Sequence, residues 1–338
     1  MRVVTRRAVL SGLGAALLGP IGRAAAGGPA IVDTHVHLPR GPRGLGEFQP
    51  SVLLADMERF GIEQVVLSPP PLPPGTSGPP LAELRAIAHR TPKFAFAAGG
   101  ESLNPLLQET SPERVSADLL RRFGAIATAI AAAGAASFGE LAVEHFSSGR
   151  GRHPYESSPP DHPLLLALAD IAAGNSLPID LHMEAVPVDM PFPANRPRGP
   201  NPPELHANIG RLERLLEHNR RARIVWLHAG WDLTGERTLP LMRGLLERHP
   251  NLAMSIKCDH SGARATAPFV PDGHVARPGW IALLSAFPDR FMIGSDQFAG
   301  EETERLECAR ALIDALPPEL ARQVASGNAR RIYRLGAA

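Results

Sequence analysis

The run "IVDTHVHL", Ile31 to Leu38, ends a short apolar segment on two histidines separated by one residue. Side chains alternate along a strand, so His35 and His37 fall on one side and their imidazoles converge, which suits a single metal ion. The same pair would serve equally as two hydrogen-bonded polar groups at a sheet edge. Other ionisable residues at comparable places weigh on that choice. "FGELAV" carries Glu140, "PIDLHM" carries His182, "IVWLHAG" carries His228 and "FMIGSDQF" carries Asp296, each on or just past a β-rich run. Four imidazoles and two carboxylates form a hard-to-borderline donor set, suited to Zn, Mn, Fe or Ni and unsuited to copper(I). The bland alternative asks six polar groups to find separate partners at matching strand ends, where each unpaired one is costly. With only Cys258 and Cys308 in the chain, a thiolate-built zinc site is excluded.

Such residues need a scaffold that gathers them. Eight β-rich runs, "AIVDTHVH", "IEQVVLSP", "KFAFAAGG", "ASFGELAV", "LPIDLHM", "RIVWLHAG", "NLAMSIK" and "RFMIGSDQ", alternate with eight amphipathic segments such as "SVLLADMERFG" and "NIGRLERLLEHN". This alternation predicts one α/β domain, a single (β/α)8 TIM barrel over residues 27–338. A doubly wound open sheet is the weaker reading, because no glycine-rich turn follows the first run. From His37 to Glu140 is 103 residues over three βα units, from Glu140 to His182 is 42 over one, from His182 to His228 is 46 over one, and from His228 to Asp296 is 68 over two. Each step meets or exceeds the roughly 31 residues per unit of an ordinary barrel. The surplus goes into three Pro- and Gly-rich exit loops, Pro39 to Pro50, Glu184 to Glu204 and Cys258 to Pro278, on the face where barrel enzymes keep their active sites.

Further residues sit on that face. Lys257 ends the seventh strand and is a candidate to bind a substrate carboxylate or phosphate, with a salt bridge to Glu140 or Asp296 as the competing role. Trp231 either lines the pocket or packs under a loop. Asp33 reads as a hydrogen-bonding support for the histidine pair, not as a ligand. His145 and His260 fall in exit loops, and His162 in "DHPLLL" reads as a helix start with Asp161 as the N-cap. Cys308 lies in the helical pattern "ERLECARALIDAL", where a small buried residue explains it, although a bridge to Cys258 is open in an oxidising compartment.

The first 26 residues read differently. Arg6-Arg7, a weakly hydrophobic stretch to about Ile21 and the exit Ala24-Ala25-Ala26 resemble a twin-arginine signal, with cleavage expected near Ala26. The stretch is broken by Gly and Pro and falls short of the ~20 apolar residues of a membrane span, so no stable membrane anchor is expected. The predicted location is periplasmic or secreted, with the twin-arginine export machinery as the precursor's partner. Removing residues 1–26 takes away Arg2, Arg6, Arg7 and Arg23 and no acid, so the formal charge falls from +1 to −3. A near-neutral chain without basic runs is no nucleic-acid binder. A homo-oligomer is compatible with everything above.

The ligand pattern resembles the amidohydrolase superfamily: His-x-His on the first strand, Glu on the fourth, His on the fifth and sixth, and Asp on the eighth. "LHAGWD", "FPDRFMIGSDQF" and the closing "GNARRIYRL" are similar to its amidohydrolase-related branch, which includes aminocarboxymuconate-semialdehyde decarboxylase. The resemblance spans about residues 30–335. It implies one or two divalent ions, zinc first: His35, His37 and Asp296 on an inner ion, His182 and His228 on a second, and Glu140 bridging where many relatives use a carboxylated lysine. It also implies Asp296 as the proton acceptor, with His228 assisting if it is not a ligand. The function expected is hydrolysis of a small lactone, ester or amide. The rivals are a one-metal decarboxylase or hydratase using His228 as acid or base, and a metal-holding binding protein without turnover.

Overall fold

The computed structural model describes residues 28–38, 48–147, 153–257, 264–270 and 275–336. Residues 1–26, expected to be an export signal, and Cys258, His260 and most of the first exit loop lie outside these residues. Eight strands run β1 Ile31–His37, β2 Ile62–Ser68, β3 Phe94–Gly99, β4 Ser137–His145, β5 Pro178–Met183, β6 Arg223–Ala229, β7 Leu252–Ile256 and β8 Phe291–Ile293. Each pairs in parallel with its neighbours in chain order, and β8 returns to β1 through Asp33 opposite Ile293, closing the barrel. All eight anticipated strands are present, and the single (β/α)8 barrel stands.

Closure explains the apolar runs. Every residue of β1 is buried, because the outer face meets helices and the inner face meets other strands. Outward residues such as Phe138, Leu181 and Trp226 pack with helical Leu168, Leu212 and Leu245. Inward residues Val32, Val66, Ala97, Val225, Leu227, Ala253 and Met292 form a separate cluster closed off by Ile332 and Tyr333 of the helix Asn328–Tyr333. Tyr333 and Ser137 donate hydrogen bonds of 2.7 and 2.6 Å to Asp180 on this floor. Burial pushes the Asp180 carboxyl up to about 6, against those bonds.

The helices between strands are α1 Pro50–Phe60, α2 Leu81–Ala88, α3 Ala117–Ala132, α4 Pro163–Asn175, α5 Ile209–His218, α6 Leu239–Arg248, α7 Pro278–Ala286 and α8 Glu304–Asp314. Ser116 and Thr238 cap α3 and α6 by accepting from Leu119 N and Leu241 N. At α4 the expected cap is corrected: His162 accepts from Leu164 N at 3.1 Å with Pro163 in the first turn, while Asp161 pairs with Arg211 and Arg214. Arginines of α5 draw the carboxylate away from the helix start. Cys308 is buried on α8, as its pattern suggests, and is disulfide-bonded. Helices Asn104–Glu109 and Pro318–Arg322, the π-helical turn Gln323–Gly327 and Asn328–Tyr333 are too short to show a period and were not anticipated. No helix among the described residues is long and apolar enough to cross a membrane.

Candidate metal centre

The six chemistry-bearing residues converge at the C-terminal mouth of the barrel. His35 and His37 leave β1 on one side, with their Nε2 atoms 3.3 Å apart. His37 Nδ1 donates to the Ser68 carbonyl at 3.2 Å, which turns Nε2 toward the cluster. Asp33 Oδ1 accepts from His35 N at 3.1 Å and from Ser295 N at 2.9 Å, tying β1 to the exit of β8. The support role expected of Asp33 is therefore what the fold provides.

Glu140 is placed by a close approach. A Cβ on the preceding Gly139 would stand 2.7 Å from Asp180 Cβ, so only glycine lets β4 lie this near β5. The two Glu140 oxygens then divide their surroundings. Oε2 lies 3.2 Å from His37 Nε2 and 3.6 Å from His35 Nε2, while Oε1 lies 2.8 Å from His182 Nδ1 and 3.0 Å from His228 Nε2. Asp296 Oδ1 completes the first group at 2.9 Å from His37 Nε2 and 3.6 Å from His35 Nε2. Such donor–donor separations are those of ligands sharing a cation at about 2.0–2.2 Å per bond. Three overlapping triads, His35/His37/Glu140, Glu140/His182/His228 and His35/His228/Asp296, each bring their ligand atoms within 4.8 Å.

Strain and charge mark the same place. His228 and Asp296 adopt positive φ, 65° and 59°, a left-handed conformation that costs an L-residue roughly 1–2 kcal/mol and persists where the surroundings over-determine it. Burial opposes ionisation of Glu140, but His35, His182 and His228 hold its carboxyl well below the usual range. Asp296 is likewise depressed against burial, by Lys257 and His228. Burial works against protonated His37 and His182 too, yet the adjacent carboxylates lift both to about 9, whereas burial pushes His228 down to about 3. Two buried, ionised carboxylates demand positive charge, which protonated His37 and His182 supply in the protein alone and which a divalent cation displacing those protons fits equally.

The remaining predicted residues gather on one wall. Lys257 pairs with Asp296 Oδ2, the salt-bridge role weighed above, and its Nζ lies 4.1 Å from the centre of the Trp231 ring. Arg264 stacks on the same indole at 3.4 Å and Arg305 stands 5.5 Å away. Arg305 also donates to the Asp296 carbonyl and to Glu302 at 2.8 Å. Sequence reasoning missed both arginines, one in a loop and one at the start of α8, where no pattern singles them out. It also missed Phe298, stacked on His37 at 5.1 Å. His145 ends β4 with its ring edge-on to His182 at 4.1 Å.

A closed parallel barrel carrying imidazoles and carboxylates at the C-terminal ends of its strands defines the class of metal-dependent barrel enzymes. The chain belongs to the amidohydrolase family, whose model matches residues 32–335. Its fold is similar to a β-aspartyl dipeptidase from Fervidobacterium islandicum AW-1, at TM-score 0.52 and 16% identity over 91% of this chain and 74% of that one. It is similar also to a probable 2-pyrone-4,6-dicarboxylic acid hydrolase from Acinetobacter baumannii, at 0.51 and 12% over 90% and 99%. A dihydroxybenzoic acid decarboxylase from Polaromonas sp. JS666 with bound manganese matches at 0.50 and 13% over 92% and 98%. No curated protein matches the chain.

Proposed function

We propose that this protein is a metal-dependent hydrolase of a small lactone, ester or amide, acting in the periplasm or outside the cell after twin-arginine export. The observation that carries the reading is the division of Glu140, one oxygen toward each histidine pair, with Asp296 beside the first. His35, His37 and Asp296 would hold one ion, His182 and His228 a second, and Glu140 both, with zinc favoured and Mn, Fe or Ni also suited to these donors. A bound divalent ion supplies Lewis acidity, polarising a carbonyl and lowering the pKa of water from about 15.7 to roughly 7.

The protein's own groups do the rest. Asp296 turns Oδ1 toward the histidines and Oδ2 toward Lys257, so it is ionised before the reaction and can accept the attacking water's proton at Oδ2. The field of Lys257 that keeps the carboxylate ionised also favours passing that proton on to the leaving group. Lys257, Arg264 and Arg305 around Trp231 place three cations against Asp296 and Glu302, a wall suited to a substrate carboxylate or phosphate. His228, neutral by burial, suits ligation better than the proton donation a decarboxylase or hydratase would ask of it. The bridged state of Cys308 favours an oxidising compartment.

Elemental analysis followed by a screen of lactones, esters and aromatic acids tests the proposal. One to two equivalents of metal and hydrolysis products are expected. Release of carbon dioxide or addition of water to a double bond would replace the hydrolase with its lyase rival, and under half an equivalent of metal would overturn both.

A further inference from the structure

We infer that Arg237 is the positioning residue of the His182/His228 pair, through the backbone of the two strands that carry them. The inference rests on the metal-site reading above but concerns only how one half of the site is held.

β6 contains an irregularity where His228 emerges. Trp226 pairs with Met254 and Ala229 with Ile256, so three steps on β6 match two on β7, and the surplus residue lies at Leu227 or His228. A bulge of this kind re-aims a side chain and leaves backbone groups without ladder partners. Arg237 supplies partners: Nη2 donates to the Trp226 carbonyl at 2.9 Å and Nη1 to the Leu227 carbonyl. Those are the two peptide oxygens immediately before His228, the residue at φ 65°. The clamp extends to β5. The guanidinium lies 3.9 Å over the Trp226 ring, and Trp226 Nε1 donates to the Met183 carbonyl, next in the chain to His182, at 2.7 Å. Arg237 is anchored in turn by its own N–H, which donates to Asp232 Oδ2 at 3.1 Å.

Two facts separate this from ordinary packing. Arg237 is 2% exposed and its Nε has no hydrogen-bond partner, so its burial is costly, and what offsets that cost is the pair of bonds to the Trp226 and Leu227 carbonyls that shape the bulge. The first ligand group has separate supports, namely Asp33 for His35, Ser68 for His37 and Lys257 for Asp296. Losing Arg237 should therefore loosen one pair and spare the other.

The test uses full-length Arg237→Lys and Trp226→Phe proteins, stripped with chelator and titrated with cobalt(II), alongside NMR of 15N-labelled histidine rings before metal is added. Arg237→Lys should move the His182 and His228 ring resonances and weaken the second cobalt equivalent by roughly 10–100-fold, the usual effect of removing a group that orients a ligand, with the first equivalent within about twofold. Trp226→Phe, which removes the bond to Met183 and keeps an aromatic ring under the guanidinium, should move His182 more than His228. Should Arg237→Lys fail to fold, Asp232→Asn removes the acceptor of the Arg237 backbone N–H, loosens the turn that presents the guanidinium, and should shift the same two rings. Unchanged His182 and His228 rings in Arg237→Lys, or equal weakening of both cobalt equivalents, would overturn the inference. Wild-type protein that takes up fewer than two cobalt ions would count against the two-ion reading instead, and the ring resonances still decide the role of Arg237.

Discussion

Raising the pH from about 7 to about 9 should tighten metal binding by roughly fiftyfold for each ion, because each ion displaces one proton from a group that is half deprotonated at the upper end. His37, in the first ligand group, and His182, in the second, both have pKa values near 9 in the protein alone, lifted by Glu140 together with Asp296 or Glu184. At neutral pH each imidazole lies two units below its pKa, so freeing its lone pair costs about 2.7 kcal/mol. Glu140 and Asp296 are ionised throughout and add no proton of their own. The assay is competition for zinc against a chromophoric chelator at several pH values, with proton release measured by calorimetry in buffers of different ionisation enthalpy. Near pH 7 a slope of one decade per pH unit and release of about one proton per ion are expected, both falling toward about one half at pH 9. Affinity independent of pH across this window would refute the electrostatic reasoning. Stability of the stripped protein provides the sign: a histidine raised above about 6.5 adds stability that is complete below that value and is lost as pH rises through about 9. The stripped protein should thus melt at a lower temperature at the alkaline end, while the loaded protein should not.

Three further outcomes follow from the same structure. Asp296→Asn keeps the shape but loses the charge that accepts the water proton, so kcat should fall roughly a hundred- to ten-thousand-fold with the circular dichroism spectrum unchanged, and wild-type turnover would eliminate the proton-transfer role. Asp180, with its carboxyl raised to about 6, is protonated in the folded state while the unfolded chain has ionised, so stability should decline by about 3 kcal/mol between about pH 4 and about pH 6. Asp180→Asn should flatten that decline in urea unfolding, and an identical slope would assign it to other groups. Replacing Arg6 and Arg7 by lysine should leave precursor in the cytoplasm on fractionation, and continued export would remove the signal assignment.

The sequence alone determined the barrel and the six groups at its mouth. Each strand and long helix records its own burial in its own residues: period two or a continuous apolar run inside the barrel wall, period near 3.6 on the outer helices. A histidine or carboxylate closing such a run is conspicuous because nothing local explains it. What the neighbours do is not written there. That Glu140 offers one oxygen to each histidine pair, that Lys257 holds Asp296, that Trp231 gathers Arg264 and Arg305, and that Arg237 secures the bulge beneath His228 are contacts between segments as many as 105 residues apart. Even the cap of α4 went to His162 instead of Asp161 because arginines from α5 reached the carboxylate first. Local patterning sets which face of each element is buried, whereas the partner met on that face depends on how the closed cylinder rotates and staggers its strands, and only the assembled tertiary structure decides it.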